Sequence, residues 1–367
     1  MNDFLIIGGG VIGMMSALRL AEAGAEVTVV ERRRCAQEAS WAGGGIVSPL
    51  YPWRYGEPVT ALATYSERHY PHLAEQLAAT TGIDPEFTPH GIFYLRVEDE
   101  ARARQWAAHH GKRLETASET LLADQLPEVT GAPFPALRMP GFGSIRTPRL
   151  GKALRERLLQ LSNVRLLEQT EVQRILVHDG TAIGVETHRA VLGAGHIIIC
   201  GGPWSARLLE PLGVSLPIYP VRGQMLLFKA PAELLRSVVL MNGHYLIPRR
   251  DGHILAGSTF EEVGFDASTP ASGYRQLYEQ ALSILPALAD HDVVQHWAGL
   301  RPGAPDSVPF IGAVPGVRRL HVNAGHFGNG VVLAPGASQL LADMLLKRQP
   351  IVDPAPYTPR SGDRSAC

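Results

Sequence analysis

Cysteine is scarce in this chain, and its spacing excludes more than its number. Cys35, Cys200 and Cys367 form no C-x-x-C pair and no cluster with histidine. Neither a zinc site nor a disulfide framework is expected, no other metal site is read, and the count fits a reducing compartment. Long apolar runs are missing as well, so no stable membrane insertion is expected. The start, "MNDFLIIGGGVIG", has no basic segment and breaks at once into glycines, unlike a signal peptide. Nor does charge of one sign accumulate: 34 Lys and Arg stand against 35 Asp and Glu. Without a basic block, nucleic acid is not an expected partner, and Arg32-Arg33-Arg34 reads as a solvated turn. Repeats and low-complexity segments are also lacking. The reading is a soluble, cytoplasmic protein that acts on a small molecule and could form a homo-oligomer. Its 367 residues exceed one small core, so two domains or one large α/β unit with an insertion are expected.

Glycine, by contrast, is abundant, and it is placed with purpose. In "DFLIIGGGVIGMMSALRLAEAGAEVTVVER" an apolar strand, Phe4 to Ile7, runs into Gly8, Gly10 and Gly13. A helix from Met14 to Ala23 follows, closed by Gly24, and a second strand ends in Glu31. Gly8 allows the tight turn, Gly10 a close approach to a pyrophosphate, and Gly13 the packing of helix on strand. The helix N-terminus faces the phosphates. Glu31 is placed to accept bonds from ribose hydroxyls and disfavours a 2′-phosphate, leaving NAD and FAD open.

Two further stretches favour a flat ligand. "QEASWAGGGIVSP", Gln37 to Pro49, is a loop of small residues where a nicotinamide-binding unit would continue with more βα repeats. "HIIICGGPWS", His196 to Ser205, is a buried strand that breaks into Gly201-Gly202-Pro203. Cys200, at its end, reads as packing. A second glycine-rich loop, "AGHFGNG", opens a helix near the C-terminus.

Taken together, the βαβ unit with Glu31, "GGPWS", "HWAGLRPGAPDSVPFIG" and "AGHFGNG" resemble the D-amino-acid oxidase and glycine oxidase group of FAD-dependent amine oxidoreductases. The resemblance runs from about Asp3 to Lys347, and the length is similar to the glycine oxidase branch, which serves thiazole synthesis in thiamine formation. It implies an α/β fold: a Rossmann-like FAD-binding domain with an inserted antiparallel-sheet substrate domain. It implies FAD, held without a covalent bond, since no cysteine lies between Leu300 and Val331. It carries cofactor contacts over to Gly8, Gly10, Val11, Ile12, Gly13, Glu31, Arg32, Ser40, Ala42, Gly44, Gly45, Ile46, Val172, Gly201, Trp204 and Gly299. At the second loop it adds Gly325, His326, Gly328, Asn329, Gly330 and Val331. There the helix N-terminus can stabilise negative charge that develops on the reduced flavin.

The expected division places residues 1–85, 141–216 and 296–350 in the FAD-binding domain and 86–140 and 217–295 in the substrate domain, with 351–367 as a disordered tail. "YLIPRRDGHILAGS" reads as a β-hairpin with Asp251-Gly252 at its turn.

Two residues are expected to carry the chemistry. Arg301, in "AGLRPG", matches the family's carboxylate-binding arginine, and two parallel bonds from a guanidinium would fix the α-carbon. Tyr245, in "GHYLIPR", matches a tyrosine whose hydroxyl faces the same carboxylate. By strand alternation, His244 faces the other way. Trp41 reads as packing, and Arg222 as structural. Hydride transfer to flavin N5 needs the α-carbon about 3–3.5 Å away, so the protein mainly orients the substrate. The expected reaction is oxidative deamination of glycine, small amines or D-amino acids, giving imine or keto acid, ammonia and hydrogen peroxide. The alternative is a dehydrogenase that passes electrons to a quinone or carrier protein. One departure stands out: glycine oxidases read His-Phe-Arg-Asn-Gly where this chain has Gly328. That leaves the substrate preference and the electron acceptor open.

Overall fold

The computed structural model describes residues 2–126, 128–129 and 135–360. Two sheets of eight strands each organise them. In the first, Asn2–Ile7 lies between Val27–Val30 and Val191–Ile199, parallel to both. Val164–Leu167 and Leu320–Ala324 extend the parallel array at either side. Phe310–Ala313 closes one edge antiparallel, and the hairpin of Val172–His178 and Thr181–Thr187 pairs onto Val191–Ile199. The central strands are apolar runs because both faces are covered, one by helices and the other by this hairpin and residues 209–218. Leu5 and Ile6 are wholly buried.

The helix Val11–Glu22 follows the first strand through Gly8, whose φ of +112° only glycine takes easily. It packs on the helix Gly330–Leu345 through small residues, with Ser16 Oγ donating to Ser338 Oγ at 3.2 Å. Behind both lies Glu57–Thr81, a 25-residue helix that stops at Gly82 in the left-handed conformation. This long helix repairs a defect in its neighbour. Pro335 lacks an N–H, so it leaves the Val331 carbonyl, four residues earlier, without its helical donor. The Tyr70 hydroxyl donates to that carbonyl, and Gly336 N donates to Ser66 Oγ at 2.9 Å.

The second sheet runs Val293–Gly303, Tyr219–Lys229, His253–Gly257, His244–Pro248, Val238–Met241, Ile92–Leu95, Leu137–Met139 and Glu115–Thr116. It is antiparallel except where Val238–Met241 pairs parallel with Ile92–Leu95. The hairpin at Asp251-Gly252 is present, with Pro248 opposite Ile254 and Gly252 at a φ of +83°.

Two expected boundaries need correction. Val293–Gly303 pairs along its length with Tyr219–Lys229, so a boundary at 296 would cut a strand of the second sheet. The pattern "HWAGLRPG" does not show which sheet receives it. The tail expected over 351–367 is ordered through residue 360. Tyr357 is buried, and its hydroxyl donates to Pro58 O at 2.7 Å. "SGDRSAC", including Cys367, lies outside the described residues.

Candidate active site

Both glycine-rich loops open onto one cavity of about 440 Å³. Gly10, Val11 and Ile12 bring the start of the first helix to it, and Gly330 and Val331 bring the start of the last. Neither helix has an acidic residue in its first turn, and neither is capped by the side chain of its own N-cap residue. Two helix N-termini therefore present unneutralised partial positive charge to the same space. Around the first, the Val11 N–H donates to Ser40 Oγ at 2.8 Å, which docks the small-residue loop onto the helix. Glu31 accepts from Gly9 N at 2.7 Å and Arg33 N at 2.9 Å, so its carboxylate shapes the loop as well as facing the cavity. At the second loop, His326 Nε2 and Asn329 Nδ2 are buried without a protein partner among the described residues. Burial pushes His326 down to about 3, so its ring is neutral.

Of the positions expected to touch a cofactor, Gly8, Gly10, Val11, Ile12, Glu31, Arg32, Ser40, Gly44, Val172, Gly201, Trp204, His326, Gly328, Gly330 and Val331 line this cavity. Arg301 and Tyr245 line its other end. Gly13, Ala42, Gly45, Ile46, Gly299, Gly325 and Asn329 do not. Several of these serve packing instead. A Cβ at Gly13 would run into the Gly8 carbonyl, one at Gly299 into Ala42, and one at Gly45 into the Ile145 carbonyl. Ile46 belongs to the core beside Tyr51 and Trp53. Arg32 is not part of a solvated turn: its guanidinium stacks 3.7 Å from the centre of the Trp204 ring and pairs with Glu38 at 2.8 Å. Trp41 packs edge-on against Trp297. Burial raises Cys200 to about 12, which leaves it an inert thiol.

The far end of the cavity is built by the second sheet. Arg301 Nη1 donates to Thr259 O at 3.1 Å and Nη2 to Ser258 Oγ at 2.7 Å. Its guanidinium lies flat on Gly223 of the adjacent strand, where a Cβ would overlap it. Burial draws its pKa below the ordinary value, and no carboxylate lies within ion-pair distance among the described residues. Arg222, one residue before Gly223, differs: it pairs with Glu261 at 2.6 Å and Asp266 at 2.5 Å. The Tyr245 hydroxyl donates to Met225 Sδ at 3.4 Å, and burial pushes its phenol up while Arg301 draws it down. His244 does not reach the cavity lining, and its Nδ1 has no protein partner among the described residues. Beside Arg301, Gly328 leaves open space: a Cβ there would meet only Arg301 Cδ, at 3.9 Å.

Sequence reasoning missed three members of this end. Gly223 is found only through the strand register. Ser258 follows the hairpin by one residue. Tyr55, near Arg301 and Asn329, comes from a distant loop. None carries a motif.

A cavity with a glycine-lined helix start at each side, an acid at a strand end and orphaned polar atoms fits a long dinucleotide. The family profile described as "DAO: FAD dependent oxidoreductase" matches residues 3–344. The chain belongs to this family. It is an FAD-dependent oxidoreductase, with the α/β fold of that family. It is 48% identical to the glycine oxidase of Pseudomonas aeruginosa over 356 residues, covering 97% of this chain and 98% of that one. It is 31% identical to the bifunctional protein ThiO/ThiG of Synechocystis, of whose length it spans 52%. The crystal structure of glycine oxidase from Geobacillus kaustophilus superposes with a TM-score of 0.93 at 30% identity, covering 99% of each chain. The DAO family's cofactor suits the residues present: backbone N–H groups at two helix starts for its anionic parts, Glu31 for a ribose, and small residues at Gly43 and Gly44 for a flat ring. Among the described residues no helix is long and apolar enough to cross a membrane, and no group of three or more His, Cys, Asp or Glu is placed to hold a metal.

Proposed function

We propose that this protein oxidises glycine or another small amino acid at its α-carbon. The observation that carries this reading is Arg301: a cation at the cavity end with no carboxylate of its own, pinned at one edge by Ser258 and Thr259. A buried cation without a partner is costly. A substrate carboxylate would complete it with two parallel charge-assisted bonds. Gly223 keeps the guanidinium flat against the sheet, and Tyr245 flanks it with a hydroxyl that can donate to the same carboxylate. Two donors on one carboxylate leave the α-carbon little rotational freedom, which is the main contribution required of the protein. The buried phenol stays protonated and the apolar wall around Met225 keeps water from the reacting carbon. FAD, when bound without a covalent link, supplies the acceptor for the two electrons of the α-C–H bond. The product imine would hydrolyse to keto acid and ammonia or pass on to thiazole formation.

With oxygen as acceptor the second product is hydrogen peroxide. The test is a panel of glycine, sarcosine, D-alanine and amines without a carboxylate, scored by anaerobic bleaching of the flavin and then by peroxide on admitting air. Bleaching by amino acids with stoichiometric peroxide is expected. Bleaching without peroxide would point to a quinone or protein acceptor, and bleaching by no amino acid would end this reading.

A further inference from the structure

Arg249 is 8% exposed, one residue past the strand that carries Tyr245. Unlike Arg222, it pairs with no carboxylate among the described residues. Its Nη2 donates to Gly44 O at 2.6 Å and its Nη1 to Ile145 O at 3.3 Å. The nearby carboxylates, Glu86 and Asp251, are taken by Arg146 at 3.2 and 2.7 Å. Burial, reinforced by the Arg146 cation, lowers Arg249 only to about 10, so it is charged at neutral pH. Two carbonyl dipoles are a poor match for a buried full charge.

The position of that charge is informative. Gly44 lines the cavity, and Arg249 stands on the other side of it. Gly45, at a φ of +80°, presses on the Ile145 carbonyl so closely that a Cβ would not fit. Arg249 therefore ties the wall at Gly44 to the Ile145 peptide packed behind it. In a trans peptide the C=O and N–H point in opposite directions. Drawing Gly44 O onto Arg249 turns the Gly45 N–H away from it, and that N–H has no protein acceptor among the described residues.

We propose that Arg249 is a positioning residue with an electrostatic role. It sets the wall at Gly43 and Gly44 and supplies, from behind it, positive charge that favours the reduced, anionic form of the FAD bound in this cavity. The inference rests on the cofactor filling this cavity; it does not depend on which substrate is oxidised.

The test is the midpoint potential of the bound flavin in the holoenzyme, by equilibration with a redox dye and a chemical reductant, for wild type, Arg249→Met and Arg249→Lys. No amino acid is involved, so failure of the substrate reading leaves the result intact. In Arg249→Met the preference for reduced over oxidised FAD should fall at least tenfold, about 30 mV for a two-electron couple. Arg249→Lys keeps the charge but not the two-pronged grip. It should hold the potential within about threefold of that preference while FAD dissociates faster. A Met variant with wild-type potential would overturn the proposal. Should the Met variant bind no FAD, the Lys variant decides alone: a wild-type potential supports the charge role, and a tenfold fall refutes it.

Discussion

The two ends of the cavity are made in different ways. At the end proposed for the dinucleotide the candidate atoms belong to the backbone: N–H groups at the starts of Val11–Glu22 and Gly330–Leu345, approachable because the neighbouring residues are glycines. At the end proposed for the substrate they belong to side chains, Arg301 and Tyr245, held by other side chains and by strand register. The difference teaches where each end is vulnerable. A backbone site tolerates the loss of a single side chain because many weak donors share the binding. A side-chain site concentrates its function in one charge and in whatever keeps that charge in place.

The sharpest way to break the contrast is Arg301→Ala. Losing a buried charged donor should cost about 2–5 kcal/mol, ~30- to 4000-fold in kcat/KM with amino acids. Amines without a carboxylate should lose far less. Equal losses for both classes would show that Arg301 supports the fold or the flavin instead.

Gly223→Ala asks whether position alone matters. The new methyl would overlap the guanidinium and push it off the sheet while leaving its charge. A displacement of about 1 Å should lower amino-acid turnover by ~10²-fold, with flavin content and Tm close to wild type. Undiminished turnover would mean that the site does not need the flat pose.

Glu31→Ala probes the backbone end. The carboxylate anchors Gly9 N and Arg33 N and faces the cavity, so both loop order and ribose bonds should suffer. Loss of hydrogen bonds to a charged acceptor is worth about 1.5–3 kcal/mol, ~10–100-fold in FAD affinity. Turnover at saturating FAD should stay near wild type. Unchanged affinity in a flavin titration would remove Glu31 from the ribose site.

The smallest effect concerns pH. His326 is held neutral by burial, with its pKa lowered to about 3 from an ordinary 6.5. Below pH 6.5 the unfolded chain takes up a proton that the folded one refuses. Stability from this group is thus complete above 6.5 and falls as pH drops towards 3, by about 1.4 kcal/mol per pH unit at most. His326→Asn should flatten the fall in Tm between pH 6.5 and 5, and an unchanged slope would show that another group dominates.

Much of the backbone end was legible in the residues. G-x-G-x-x-G, the flanking strands and Glu31 follow one another within a single βαβ unit, so local order is spatial order. The same holds for the hairpin turned at Asp251-Gly252. The boundary at 296 and the tail from 351 were misplaced because both depend on distant partners: Tyr219–Lys229 for one, Pro58 for the other. Gly223, Ser258, Tyr55 and Arg249 had no signal in sequence, since each matters only through a neighbour far along the chain or across a strand register.

The sequence by itself determined the glycine-rich βαβ unit, because turns that require glycine and helix starts that attract anions are properties of short contiguous segments. It also pointed to a second sheet, through the hairpin at Asp251-Gly252 and the family resemblance. Only the tertiary structure decided how the two loops meet: Val11–Glu22 packs on Gly330–Leu345, with Ser16 Oγ donating to Ser338 Oγ, and both helix starts open onto one cavity. Only it supplied the physical ground for treating the two buried arginines differently: the fold brings Glu261 and Asp266 to Arg222 and, among the described residues, brings no carboxylate within ion-pair distance of Arg301.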